Sequence, residues 1–74
     1  MDTNSQNKAI LRELKRNPMG MTGMDMINMF GAMSYTRRIR DLREAGEPID
    51  SQWIYKYDEK GKVVKRWKRY YWVG

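Results

Sequence analysis

Apolar residues recur at helical spacing through the first two-thirds of the chain and then switch to alternation. Ile10, Leu11 and Leu14 fall on one narrow side of a first helix spanning about residues 4–16, with Lys8, Arg12, Lys15 and Arg16 facing elsewhere. Thr3 and Gln6 have the spacing of a capping box at its start. Asn17-Pro18 ends it, because proline disfavours helical backbone in the residue before it. Residues 18–21 form a connector with room for one brief strand. Thr22 and Asp25 repeat the capping pattern, with Met21 and Met26 placed to form a hydrophobic staple. A second helix follows over about residues 23–30, with Met24, Met26, Ile27 and Phe30 on one broad face.

Gly31-Ala32-Met33 is a three-residue turn, and Ser34 is placed to cap a third helix over about residues 35–45. Tyr35, Ile39 and Leu42 anchor that helix, Arg38 and Arg43 flank the buried stripe, and Thr36, Arg37, Arg40 and Glu44 point away. Gly46 closes the helix and Pro48 prevents its continuation. From Ile49 the period is two. Ile49, Ser51, Trp53, Tyr55 and Tyr57 share one side of a strand, and Asp50, Gln52, Ile54 and Lys56 share the other. Asp58-Glu59-Lys60-Gly61 is a turn signal, and Val63 to Trp72 is a second strand rich in β-branched and aromatic residues. Aromatics occupy both of its faces, so the alternation alone leaves the register open.

The pattern predicts an α+β fold: three helices followed by a two-stranded β-hairpin. It forms one domain over residues 1–74, with residues 22–46 as a helix-turn-helix, 49–72 as a wing, and flexible ends at 1–3 and 73–74. The expected core is Ile10, Leu14, Ile27, Phe30, Tyr35, Ile39, Leu42 and Trp53. Six of the seven methionines lie between residues 19 and 33. Flexible core filling accounts for most of them, with Met29 the best placed to reach solvent.

Composition narrows the chemistry. The chain has no Cys and no His, which removes disulfides, thiolate zinc sites and the commonest general base. The expectation is therefore a binding protein without cofactor or metal, not an enzyme. Neither a signal-peptide core nor a membrane-length apolar run is present, which predicts a soluble intracellular protein with no membrane partner. The formal net charge is +6, and it is unevenly placed: residues 60–69 hold six basic side chains and no acid. That excess favours an anionic partner, nucleic acid first.

Three helices with a basic hairpin describe a winged helix-turn-helix, and residues 21–72 also resemble the small winged-helix domains common in bacteriophages and prophages. The shared pattern is carried by Thr22, Asp25, Phe30-Gly31, Ile39, Asp41-Leu42-Arg43, Gly46, Ile49, Trp53 and Tyr70. Met26 departs from it, standing where those domains usually have Ala. The resemblance implies a phage-like DNA-binding module in the cytoplasm of a bacterial host, acting as a transcriptional regulator or a DNA-architectural accessory factor.

The residues support double-stranded DNA on their own chemistry. Arg37 and Arg40 stand where a recognition helix presents arginine to guanine O6 and N7, with Thr36 beside them for a thymine methyl or a phosphate. Ser34 and the first amides of the third helix suit a phosphate. Arg43 adds a further cation to that helix, and Lys60, Lys62 and Lys65 suit the backbone beside the wing. The plain alternative is a solvated face, with Arg37–Asp41 and Arg40–Glu44 paired internally at i,i+4. Two other functions stay open. One is a protein-interaction module, such as a phage-encoded inhibitor of a host enzyme or defence complex, using Trp67, Tyr71 and Trp72. The other is a single-stranded nucleic-acid binder, its aromatics stacking on bases. Rings packed under the helices favour the duplex reader, and rings in solvent favour the alternatives. A homodimer is compatible with any of these.

Overall fold

A computed structural model describes residues 3–74, without the side chain of residue 3. The cap expected from Thr3 and the flexible end expected at residues 1–2 lie outside the described residues. Three helices precede the main strands: α1 (Thr3–Arg16), α2 (Gly23–Phe30) and α3 (Tyr35–Glu44). The strands are β1 (Met21–Thr22), β2 (Ile49–Tyr57) and β3 (Val63–Trp72). All three strands join in one antiparallel sheet of order β1-β3-β2, so the hairpin expected from the sequence gains a third, two-residue strand.

Local chemistry sets the helix ends. At the start of α2 the Asp25 N–H donates to Thr22 Oγ1 at 3.2 Å, and the Thr22 N–H donates to Asp25 Oδ2 at 3.0 Å, completing the capping box. Gly31 ends α2 at φ 65°, a left-handed conformation that would strain a residue carrying Cβ. This cap turns the chain towards α3. At the far end of α3 the Gly46 N–H donates to the Arg43 carbonyl and the Glu47 N–H to the Leu42 carbonyl, both at 3.0 Å. That pair of bonds is a Schellman motif, which releases the chain into β2.

The core gathers Ile10 and Leu14 from α1, Met21 from β1, Met26 from α2, Ala32 from the turn, Ile39 and Leu42 from α3, Ile49 from β2 and Tyr70 from β3. Leu11, Phe30, Tyr35 and Trp72 pack against its edge. Two expected members do not converge with the rest. Ile27 is half-buried outside the cluster, and Trp53 is 47% exposed. Ile27 faces the groove beside the wing, and the reason for Trp53 is strand length. Strands of 9 and 10 residues run roughly 30 Å, further than three short helices can cover. Ile49 is the only buried residue of β2, and Tyr70 the only one of β3. The rest of the hairpin projects, giving a molecule of 44 × 25 × 20 Å.

The methionines also divide differently from expectation. Met21 and Met26 are core residues, whereas Met19, Met24, Met29 and Met33 are exposed. Met24 lies on the side of α2 that opens towards the wing instead of the core. The broad apolar face read along α2 is therefore wider than the part the core uses.

Candidate nucleic-acid interface

The sequence of α3 divides its arginines between two tasks. Arg38 is buried at 8% exposure, and its guanidinium meets Asp41 Oδ2 at 3.5 Å. This is the only ion pair among the described residues. The pairs of the alternative reading, Arg37–Asp41 and Arg40–Glu44, do not form. Asp41 is drawn instead to the guanidinium that water solvates least. Arg37 and Arg40 are exposed and keep their charge available for a ligand.

Ser34 occupies the N-cap position of α3 at φ −100° and ψ 46°, but its side chain makes no capping bond. Its carbonyl accepts from the Arg37 and Arg38 N–H groups at 3.0 and 3.1 Å. The expected side-chain cap is thus absent, because this backbone geometry differs from the extended conformation that aims a capping hydroxyl at the helix amides. Ser34, Thr36, Arg37 and Arg40 together line an open groove of about 430 Å³ on the outward side of α3.

Both ends of α3 are fixed to the sheet. At its start Tyr35 meets the Tyr70 ring edge-on, with centroids 6.5 Å apart. At its end Arg43 Nε donates to the Ile49 carbonyl at 3.1 Å, and the guanidinium lies 5.9 Å from the Tyr70 ring centre. Arg43 therefore does not join the groove of Arg37 and Arg40. Tyr70 is the hub of these contacts. Burial raises its phenol above the ordinary 10.0 and the nearby Tyr35 adds to this, while Arg43 and the Thr36 side chain oppose it.

The wing turn is tied by Asp58. Its Oδ1 accepts from the Lys60 and Lys62 N–H groups, each at 2.9 Å. The bonds use the backbone, so both lysine side chains project into solvent at the tip, away from the α3 groove. Lys65 stands further back, with its ammonium 5.9 Å from the Trp67 ring centre. It lines a second groove of about 750 Å³, between the wing and the first turns of α2 and α3. Thr36 borders both grooves and so joins them.

Trp53, expected in the core, lines this second groove instead, together with Lys56, Arg66 and Lys68, which were not among the expected duplex-binding residues. The dense charge of residues 60–69 marks the region, but only the strand register shows which side chains meet. Arg66 and Lys68 lie 5.4 and 5.2 Å from the Trp53 ring centre. The rings of the hairpin divide between the two arrangements considered. Tyr70 and Trp72 pack under the helices, Trp67 and Tyr71 are half-buried, and Trp53, Tyr55 and Tyr57 reach solvent.

The described residues include no helix long and apolar enough to cross a membrane. The three helices and the hairpin beside them have the layout of a winged helix-turn-helix. The chain belongs to the winged helix-turn-helix domain family, which matches over residues 5–73. Comparison with curated proteins and with solved structures finds no significant match. Membership implies DNA as the partner and a module that is typically not an enzyme.

Proposed function

We propose that this protein reads double-stranded DNA in a sequence-dependent manner, as a small transcriptional regulator or DNA-architectural accessory factor. The observation that carries this reading is the groove outside α3, where Arg37 and Arg40 stand without ion-pair partners beside Ser34 and Thr36. Placed in the major groove, the two arginines can each grip guanine O6 and N7. Thr36 suits a thymine methyl or a phosphate. Ser34 and the free amides at the start of α3 suit a phosphate. Lys60 and Lys62 at the wing tip, with Lys65 behind them, hold the backbone and contribute little sequence information.

Arg43 supports this surface by fixing the angle between α3 and the wing. One module of this size covers little DNA, so a homodimer or adjacent sites would extend the recognition. The resemblance of residues 21–72 to phage and prophage domains supports such a setting, in the cytoplasm of a bacterial host.

The test is selection of bound duplexes from a random pool. A motif with guanines at one or two fixed positions is expected to enrich. Retention of duplex without any enriched motif would refute sequence-dependent reading. A second reading, a protein-docking module, draws on the exposure of Met19, Met24, Met29 and Met33. It predicts no duplex binding even at low salt.

A further inference from the structure

The sheet is incomplete beside the second groove. β1 pairs with β3 at only two positions, Met21 with Tyr70 and Thr22 with Arg69. The chain then turns into α2, so β3 has no strand on that side from Val63 to Lys68. The 750 Å³ groove lies along this open edge.

Its lining has an unbalanced charge. Lys56, Lys65, Arg66 and Lys68 border it, and no carboxylate does. Trp53, Arg66 and Lys68 lie on one face of the hairpin, where Trp53 pairs with Lys68 in the β2–β3 register, while Lys56 and Lys65 pair on the other. Trp53 leaves nearly half its surface in water, with Arg66 and Lys68 held near its ring. Tyr35 and Met24 extend the apolar wall on the helix side.

We propose that this groove takes an unpaired DNA strand, with a base stacked on Trp53 and the flanking phosphates held by Arg66 and Lys68. The proposal rests on the reading of DNA as partner but concerns a different surface from the α3 groove. A closed duplex hides the faces of its bases, so a ring at the wall of a groove can stack only on a base that has left the helix. Interleaved aromatics and cations are the combination that single strands require. Since Thr36 borders both grooves, a duplex on α3 that ends in a single-stranded extension can occupy both. The protein then prefers such a junction to a blunt duplex.

The experiment measures binding of the parent and of Trp53→Leu to three labelled probes: a short oligothymidylate, a blunt duplex, and that duplex with an oligothymidylate extension. Circular dichroism checks that the variant keeps its fold, and Lys68→Gln serves as a second variant in case it does not. The parent should bind the extended duplex more tightly than the blunt one. Trp53→Leu should lose at least about fivefold on both probes with unpaired bases and keep its affinity for the blunt duplex. Lys68→Gln should show the same selectivity. Equal binding of parent and folded variants to oligothymidylate overturns the proposal. So does displacement of oligothymidylate by an oligoglutamate peptide with equal effect on parent and Trp53→Leu, since the groove is then a general anion or peptide site. Failure of the parent to bind the blunt duplex while it holds oligothymidylate counts against the duplex reading alone.

Discussion

Arg43 Nε donates to the backbone carbonyl of Ile49 at 3.1 Å, tying the last turn of α3 to the first residue of the wing. The same guanidinium lies near the Tyr70 ring, so one side chain joins α3, β2 and β3. Arg43→Ala removes this link. It is expected to cost about 1 kcal/mol in urea denaturation, below the roughly 1.5–3 kcal/mol of a hydrogen bond to a charged group because the site is partly wet. Lys restores the charge but not the directed Nε bond, so Arg43→Lys should recover little of the loss. DNA affinity should fall alike on selected and random duplexes. A base-specific loss would instead place Arg43 in direct contact with DNA.

Ile39 and Leu42 bring the inner face of α3 to the centre of the core. Truncating either to Ala should cost about 2–5 kcal/mol, enough to threaten folding in a chain of this size. Trp53→Leu, by contrast, should change stability little, because Trp53 lies on the projecting part of the wing. Denaturant midpoints check the contrast. A Trp53 variant as unstable as Leu42→Ala would mean that the wing ring belongs to the core.

The raised pKa of Tyr70 has a definite consequence at high pH. The neutral phenol is favoured in the folded state, chiefly by burial and then by Tyr35. Its contribution is complete below the unfolded value near 10 and is lost as pH rises through the higher folded value. Urea midpoints should therefore fall on the alkaline side for the parent and less steeply for Tyr70→Phe. Parallel curves for the two proteins would show that Tyr70 does not control this response.

Much of the fold was legible because several signals agreed at each element end. Thr22 and Asp25 cap α2, Gly31 and Gly46 close the helices, and the period changes at Ile49 where β2 begins. The α3 face carrying Thr36, Arg37 and Arg40 followed from helical spacing alone. The role of Arg43 was not legible, since its partner is a backbone carbonyl six residues later, across a turn. Trp53, expected in the core, does not lie there. Alternation gave its side of β2 but not how far the helices reach along the strand. The second groove depends on register, which a strand with aromatics on both faces does not specify.

On the proposed reading, α3 reads the duplex and the wing tip holds its backbone. Salt titration of DNA binding by the parent, Arg37→Ala, Arg40→Ala and Lys60→Ala, each on a selected and a random duplex, tests it most directly. Each arginine variant should lose roughly 1–3 kcal/mol on the selected site and less on the random one. Lys60→Ala should weaken both equally and flatten the slope of log K against log salt by about 0.9. A variant lacking both Arg37 and Arg40 that binds the selected duplex as tightly as the parent would contradict the claim.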